Sequence, residues 1–250
     1  MKDTQQHRER IWQALNRVGK PDSRFHWDFS SFIADFEDND LATQRLVELE
    51  DWKCADRVFI TPDNSTERLR REAIRARKTL LVTTYGIRRG FLQLDPDLVP
   101  DEDIKYAATL DGLDAFAKPV SLADLEGTAT LPILITGGSA ISRNGIRFGK
   151  GHGYFDLEWA ILSEIGLTDT TSKIVDIVHD EQFVDDDLEG EVHDVAVDWI
   201  VTPTRTISVA VDRKPGRVIW EMIPGTEHET VPPIIELSKR RTSAKATLKV

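Results

Sequence analysis

Four glycines lie among two cations, a histidine and a carboxylate in the stretch Gly145-Ile146-Arg147-Phe148-Gly149-Lys150-Gly151-His152-Gly153-Tyr154-Phe155-Asp156. Because glycine has no Cβ, such a loop can turn its backbone N–H groups towards an anion and let it approach closely. Arg147 and Lys150 add charge-assisted hydrogen bonds to phosphate oxygens, and Asp156 can hold a divalent cation that carries the same phosphates. The stretch predicts a polyanion site.

The spacing of this loop differs from that of the two common phosphate-binding motifs. Gly145 precedes Gly149 by one residue too few for a P-loop, no Ser or Thr follows Lys150, and GxGxG is not the Rossmann order. The residues 157–162 favour a helix directly after the loop, and a helix start adds partial positive charge there. An ordinary Gly-rich turn is the alternative that composition leaves open.

Short apolar runs on both sides of the loop indicate buried strands. They lie at 57–61, 79–84, 132–136, 173–178 and 199–202. Thr66 offers an N-cap to a helix between the first two runs, and this βαβ order predicts a parallel pair with a right-handed crossover. The loop then lies on the strand-to-helix side of an α/β sheet, which is where open sheets bind ligands.

Composition limits the classes of protein. A chain of 250 residues with 40% apolar residues can bury a sizeable core, and a net charge of −11 argues against whole-surface binding of nucleic acid or anionic membrane. The one cysteine, Cys54, cannot form an internal disulfide and is predicted to be a buried thiol. We find neither a signal peptide nor a membrane-spanning run, and therefore expect a cytoplasmic protein with no membrane partner.

The predicted helix after Thr66 carries six cations, which form either a solvated face balanced by Glu67 and Glu72 or a surface for phosphate or RNA. They are Arg68, Arg70, Arg71, Arg75, Arg77 and Lys78. Prolines break up the chain after residue 211, and its end is predicted to be a frayed basic tail. Nucleic acid is not the expected partner, and this helix or the tail is where it would bind. We predict an α/β domain over 1–211, which includes an N-terminal helix, and a C-terminal extension over 212–250.

The loop, together with a run near residue 193, resembles the 5-formyltetrahydrofolate cyclo-ligases, also called methenyltetrahydrofolate synthetases. The family pattern G-x-R-x-G-x-G-x-G-Y-Y-D matches from Gly145 to Asp156, with Phe155 in the second aromatic place. A family glutamine and the run H-D-x-x-x-D-x-x-x-T also match, at Gln182, His193, Asp194, Asp198 and Thr202. The resemblance spans most of the chain and implies a three-layer α/β sandwich with a mostly parallel central sheet.

A second resemblance, closer in detail, is to the divergent branch of methenyltetrahydrofolate synthase domain-containing proteins. Its hallmark R-F-G-K-G-H-G-Y, followed by D-L-E, matches 147–158 with only Phe155 interposed. The segments Arg8-Glu9-Arg10-Ile11-Trp12 and Pro215-Gly216-Arg217-Val218-Ile219-Trp220 also resemble this branch.

The resemblance implies an ATP-dependent ring closure. The formyl oxygen of 5-formyltetrahydrofolate is phosphorylated, N10 attacks the activated carbon, and phosphate leaves to give 5,10-methenyltetrahydrofolate. By position, the implied catalytic residues are Arg147, Lys150 and Tyr154. The implied ATP contacts are Arg8, Arg147, Phe148, Gly149, Lys150, Gly151, His152, Gly153, Tyr154 and Phe155. The implied contacts to the reduced folate are Arg8, Asp63, Lys150, Gly151, His152, Gly153 and Tyr154, and the implied Mg²⁺ ligands are Asp156 and Asp194.

Three positions depart from the family pattern. Asp63 replaces a folate-contacting Glu and is shorter by one methylene, Thr4 takes the place of the lysine in K-x-x-x-R, and Leu157 stands where the enzymes often have Arg. Two alternatives to the cyclo-ligase reaction therefore stay open. One is a module that binds nucleotide or folate without turnover and has RNA or a protein as partner. The other is ATP-dependent activation of a different one-carbon or pterin substrate.

Overall fold

The apolar runs form the middle of a large sheet in the computed structural model, which describes residues 2–148, 151–211 and 214–247. The strands are β1 Arg57–Ile60, β2 Thr79–Thr83, β3 Phe91–Leu94, β4 Lys118–Val120, β5 Ile133–Gly137, β6 Ala140–Ser142, β7 Arg147–Phe148, β8 Lys173–Ile177, β9 Phe183–Val184, β10 Trp199–Val201 and β11 Thr206–Ser208. Eight of them pair in the order β11-β10-β8-β5-β1-β2-β3-β4. The strands from β10 to β2 are parallel, and β11, β3 and β4 add antiparallel edges.

Helices cover both faces of this sheet. They are α1 Lys2–Val18, α2 Asn39–Val47, α3 Glu50–Lys53, α4 Glu67–Arg75, α5 Ile104–Ala107, α6 Leu110–Phe116, α7 Leu122–Leu125, α8 Tyr154–Glu164 and α9 Pro232–Thr247. The helices α2 and α3 are separate, because Leu49 takes an extended conformation between them. Within the described ranges, no helix is long and apolar enough to cross a bilayer.

Successive strand residues alternate between two apolar cores. In β1, Val58 and Ile60 pack with residues of α2 and α4, whereas Phe59 packs with residues of α8. All three side chains are buried. Since both faces of the parallel strands are covered, each strand is a continuous apolar run rather than an alternating one. The predicted three-layer α/β architecture with a mostly parallel sheet is confirmed.

The C-terminal segment packs over the α8 face of the sheet. Val218, Ile223 and Ile234 are buried in the same core as α8. Where the sequence predicts a frayed basic tail, the described residues up to Thr247 form the helix α9, in which Arg240 binds Glu236 at 2.6 Å between Nη2 and Oε1. Arg240 also binds Glu126 at 2.9 Å between Nη1 and Oε2, so this basic side chain meets two carboxylates. The division of the chain at residue 211 stays a prediction.

Three polar residues lie where the sequence did not predict them. Cys54 is exposed at the end of α3, so the prediction of a buried thiol is wrong. Conversely, Arg70 is 1% exposed and donates to the Ala108 carbonyl at 2.8 Å. Lys78 is also buried and donates to the Ala55 carbonyl. Two of the six cations after Thr66 are thus buried against backbone carbonyls and are not part of a basic surface.

Candidate active site

A cleft of about 750 Å³ opens at the carboxyl ends of the central strands, and one of its walls is the Gly-rich loop. This volume lies within the range of small-molecule sites. Among the described residues that line the cleft, Arg147 is the only lysine or arginine. Seven lining residues are acidic, namely Asp63, Asp156, Glu158, Asp187, Glu189, Glu191 and Asp194. The described lining therefore has many more acidic than basic side chains.

Arg147 and Asp156 form a salt bridge across the Gly-rich loop, with 2.6 Å between Nη2 and Oδ1. The same Oδ1 accepts a hydrogen bond from the backbone N–H of Val195 at 2.9 Å. The guanidinium also lies 4.3 Å from the centre of the Phe155 ring. Among the described residues, Arg147 Nε has no hydrogen-bond partner. The arginine is thus held in place and keeps donor capacity for an anion.

Helix α8 begins at the loop, and its first turn lines the cleft. Gly153 is the N-cap, with φ 62° and no capping side-chain hydrogen bond. This left-handed conformation favours glycine, because a Cβ is strained there. N–H groups at an uncapped helix start can bind an anionic ligand, so the loop and α8 together suit a phosphate.

Asp194 lies beside Asp156 at the same end of the cleft. Burial raises the pKa of Asp194, and the negative charge of Asp156 raises it further, against a hydrogen bond of 2.7 Å from the backbone N–H of Glu191. Mg²⁺ is commonly held by one or two carboxylates together with substrate phosphates and water. The pair suits that kind of site, whereas the described part of the chain contains no group of three or more His, Cys, Asp or Glu for a closed metal site.

Two residues of the loop are bound to the C-terminal segment. Tyr154 Oη donates to Glu227 Oε2 at 2.8 Å, and His152 Nδ1 lies 2.6 Å from Glu227 Oε1. The rings of His152 and Tyr154 stack at 5.6 Å, and His228 packs against Tyr154 at 5.4 Å. Burial and the Glu227 carboxylate raise the pKa of Tyr154 to about 12, so the phenol keeps its proton at neutral pH.

Polar side chains occupy the carboxyl ends of four neighbouring strands beneath the cleft. Thr136 of β5 and Asp176 of β8 are direct register partners. Thr61 follows β1, and Thr83 ends β2 and donates to Glu158 of α8. All five residues are buried, so this floor is a polar layer inside an otherwise apolar core.

Glu158 and Asp176 are the buried acids of this floor, with 3% and 0% exposure. Burial raises the pKa of Glu158 to about 8 and that of Asp176 to about 7, and Arg147 opposes both shifts. Within the described ranges, neither Glu158 Oε2 nor either carboxyl oxygen of Asp176 has a hydrogen-bond partner. A Cβ on Gly138 would lie 2.7 Å from Asp176 Oδ2, so the glycine backbone covers this acid closely.

The cleft brings most of the predicted residues together. Those that line it are Asp63, Arg147, Phe148, Gly151, His152, Gly153, Tyr154, Phe155, Asp156 and Asp194. Gly149, Lys150 and the side chain of Arg8 lie outside the described part of the structure. The ligand contacts of all these residues stay predictions.

Three residues of the downstream family pattern make structural contacts instead. Gln182 donates to the carbonyls of Gly138 and Ser139 at 2.8 and 3.0 Å, and thereby supports the floor from below. Thr202 donates to Asp180 at 2.6 Å. Asp198 lies at the opposite, amino end of the sheet, where its Oδ2 accepts from the backbone N–H of Ile174 at 2.7 Å.

Sequence reasoning missed Glu158, Asp176 and Glu227 as residues of the site. Glu158 stands in the D-L-E hallmark, but its position there does not show which way it points. Asp176 had a usable signal, since it is the only charged residue inside the apolar run Ile174-Val175-Asp176-Ile177-Val178. Glu227 had none, because it lies 73 residues along the chain from Tyr154.

Fold and site define an α/β protein with a Gly-rich loop and an acidic cleft at the carboxyl edge of its sheet. Residues 1–203 match the model of the 5-formyltetrahydrofolate cyclo-ligase family, and the chain belongs to that family. The family is one of ligases that act on a folate.

Named relatives extend the comparison beyond the matched region. The chain is 33% identical over 241 residues to the human methenyltetrahydrofolate synthase domain-containing protein, which covers 95% of this chain and 62% of the relative. The mouse protein of that name is 32% identical over 241 residues, covering 95% and 63%. The chain thus spans about three fifths of the length of these relatives. The NMR structure of Aquifex aeolicus 5,10-methenyltetrahydrofolate synthetase matches with TM-score 0.48 and 16% identity over 84% of this chain and 94% of that one.

Proposed function

We propose that the protein converts 5-formyltetrahydrofolate to 5,10-methenyltetrahydrofolate with ATP and Mg²⁺. Family membership supports the class of reaction, and one observation carries the proposal. The salt bridge between Arg147 and Asp156 holds the Gly-rich loop at the uncapped start of α8, and Arg147 Nε is left with no partner among the described residues. This arrangement suits the phosphates of a nucleotide. The proposed compartment is the cytoplasm.

Positioning and electrostatics are the work that the proposed reaction requires from the chain. The γ-phosphoryl group moves from ATP to the formyl oxygen, and N10 then closes the ring and releases phosphate. The site must therefore hold the triphosphate and the formyl group in line and exclude water. Arg147 and the N–H groups at the start of α8 stabilise negative charge, and Lys150 is proposed to add a second cation.

The acidic lining of the cleft supports the proposed need for a divalent cation. Seven acidic residues line the described cleft against one arginine, and those that are ionised repel a bare triphosphate. When bound, Mg²⁺ neutralises part of the phosphate charge. Asp156 and Asp194 are the residues proposed to hold it, because both carboxyl groups line the cleft next to the Gly-rich loop.

A module that binds nucleotide or folate without turnover is the second candidate. Asp63 favours it, because this residue is shorter than the family's glutamate by one methylene. Its Oδ2 also accepts a hydrogen bond of 2.6 Å from the Thr61 hydroxyl, which holds the carboxylate near the end of β1. A folate that needs the longer side chain would then bind without the contact that aligns it for reaction.

To test the proposal, purified protein is mixed with 5-formyltetrahydrofolate, ATP and Mg²⁺. The absorbance of methenyltetrahydrofolate and the amount of ADP are then measured in the same reaction. We expect both products from the wild type, and a fall in kcat/KM of about 100-fold in Arg147→Ala and in Lys150→Ala, because each removes a donor to the transferring phosphate. Arg75→Ala is the matched control. Arg75 is exposed on α4 and binds Glu72 at 2.8 Å, so its loss should leave activity unchanged.

The two assays separate the competing functions. ADP without the methenyl product would indicate a different phosphoryl acceptor or uncoupled hydrolysis. Neither product, from protein that unfolds cooperatively on heating, would overturn the proposal and favour the binding module. Equilibrium dialysis with ATP and with 5-formyltetrahydrofolate would then measure which ligand the module retains.

A further inference from the structure

A second, smaller pocket of about 200 Å³ lies between the start of α8 and the C-terminal segment. Its outer wall is formed by residues between Pro215 and His228, whereas strand ends and an acidic loop form the far side of the cleft. The family model ends at residue 203 and does not include this wall. The residues that line both the pocket and the cleft are Gly151, His152, Gly153, Asp156 and His193. The Gly-rich loop therefore lies between two cavities.

Hydrogen bonds near both ends hold the outer wall of the pocket in place. Near its start, Trp159 Nε1 donates to the Pro215 carbonyl at 2.5 Å. Near its end, Tyr154 Oη donates to Glu227 Oε2 at 2.8 Å. Trp159 and Tyr154 both belong to α8, so the wall is bound to one helix at two points and the pocket is already formed without a ligand.

The surface of the pocket is largely apolar. Met222 is 41% exposed, so a large apolar side chain is left uncovered at the pocket. The pocket is smaller than the roughly 300–1,000 Å³ of sites for drug-sized ligands, and it suits the apolar body of a molecule about one ring in size. The apolar residues that line it are Leu157, Ala160, Pro215, Val218, Ile219, Met222 and Ile223.

Arg217 decides which charge the pocket favours. It lines the pocket, is exposed, and has no hydrogen bond or ion pair among the described residues. Asp156 is the only acidic residue in the described lining, and Arg147 already binds it at 2.6 Å. Glu164 accepts a hydrogen bond from the backbone N–H of Val218 at 3.1 Å. A guanidinium binds a carboxylate through two parallel N–H bonds, so the pocket favours a monoanion over a neutral or cationic molecule.

We propose that this pocket binds a small molecule that has one apolar ring and one carboxylate. The carboxylate pairs with Arg217, and the ring packs against Ala160 and Met222. A single unpaired arginine beside apolar side chains suits one negative charge better than the several charges of a phosphate chain. The site adjoins the proposed sites of ATP and reduced folate, goes beyond the proposed function and does not depend on it.

Three probes of nearly the same shape test the proposal on the full chain. Benzoate is an anion, benzamide is neutral and benzylamine is a cation, so their dissociation constants, measured by ligand-observed NMR titration, separate charge from ring burial. We expect the wild type to bind benzoate about 5-fold more tightly than benzamide, and benzamide more tightly than benzylamine.

Arg217→Gln tests the charged contact at an exposed position, where folding should be unaffected. Benzoate should bind to this variant about 5-fold more weakly, and benzamide should bind as to the wild type. Arg75→Gln, the same change on the exposed side of α4, is the matched control and should not alter either affinity.

Ala160→Leu tests the apolar wall, because the larger side chain fills the space that the ring would take. Both benzoate and benzamide should bind at least about 10-fold more weakly, in protein that still unfolds cooperatively on heating. Ala123→Leu, the same change at an exposed position of α7, should bind both probes as the wild type does.

Four results would overturn the proposal. They are wild-type protein that binds none of the probes, equal affinity for benzoate and benzamide, tighter binding of benzylamine, and unchanged benzoate affinity in Arg217→Gln. Arg147→Ala separates the pocket from the cleft, because Arg147 lines the cleft alone. A preference for benzoate that persists in this variant supports the pocket, whereas its loss there and not in Arg217→Gln would place the anion in the cleft. No probe carries a pteridine or a phosphate, so the outcome stands apart from that of the enzyme assay.

Discussion

Asp176 in β8 and Asp198 just before the neighbouring strand β10 are both buried acids, but they lie at opposite ends of the sheet. Asp198 precedes β10, and its Oδ2 accepts from the backbone N–H of Ile174 at 2.7 Å and from Lys214 Nζ at 2.5 Å. Asp176 lies near the carboxyl end of β8 and has no partner among the described residues. The same residue type is therefore a structural group at one end and an unsatisfied one at the other.

This difference in hydrogen-bond partners distinguishes the end of the sheet that stabilises the fold from the end that can bind a ligand. At the amino end, Lys214 of the C-terminal segment completes the hydrogen bonds of Asp198 and also donates to the Ser172 carbonyl at 2.7 Å. At the carboxyl end, near the cleft, the carboxyl oxygens of Asp176 accept no hydrogen bond from the described residues. Proteins commonly accept such a local loss of stability where a site needs it. Substitutions at the two ends should then have effects of opposite sign.

The largest expected effect is at the structural end. Asp198→Ala leaves a buried N–H and the Lys214 ammonium without their acceptor, so the free energy of unfolding should fall by about 3–5 kcal/mol. Asp198→Asn keeps an acceptor oxygen and should lose less. Urea unfolding measures both, with Asp185→Ala in the exposed acidic loop as the control. A loss in Asp198→Ala no larger than in that control would show that the contacts of Asp198 do not stabilise the fold.

A smaller effect of opposite sign is expected at the binding end. The pKa of Asp176 is about 7 in the folded protein, against an ordinary value of 3.8. As the pH rises from about 4 to 7, the unfolded chain releases this proton and the folded chain does not, so the free energy of unfolding falls and then levels off. Asp176→Asn removes this contribution and should be more stable than the wild type at pH 8, by roughly 2–4 kcal/mol at most.

Unfolding in urea between pH 4 and pH 8 checks this prediction. The difference between Asp176→Asn and the wild type should be small at pH 4, should grow towards pH 7 and should be constant above it. Glu158 titrates in the same direction in both proteins, so it cancels in the difference. A difference that does not change with pH would mean that Asp176 is satisfied in the folded protein.

This contrast also marks how far the sequence could be used to predict the structure. The five central strands were predictable, because a strand covered on both faces must be apolar throughout, as in Ile133-Leu134-Ile135. The loop was predictable because its glycines and cations are adjacent in the chain. Whether Asp176 or Asp198 has a partner was not, because that depends on Lys214 and on the fold as a whole. The short antiparallel edge strands gave no comparable apolar signal, as Lys118-Pro119-Val120 shows.

Glu227 is a third kind of carboxylate, half exposed and bound to the loop rather than to the sheet. Glu227→Gln should change the free energy of unfolding by no more than about 0.5 kcal/mol, because hydrogen bonds and ion pairs at this exposure contribute little. The variant should nevertheless loosen the contacts of His152 and Tyr154, and so raise KM for ATP a few-fold with a smaller change in kcat. Glu221→Gln, exposed and nearby in the chain, is the control.

Titration of the tyrosines gives a direct readout of the same contact. The protein has three tyrosines, and the pKa of Tyr154 is raised to about 12 by burial first and by the Glu227 carboxylate second. In Glu227→Gln the negative charge is gone while burial remains, so ultraviolet absorbance should show Tyr154 ionising at lower pH than in the wild type. If its ionisation does not move, burial alone sets the pKa of Tyr154, and Glu227 does not hold the loop in solution.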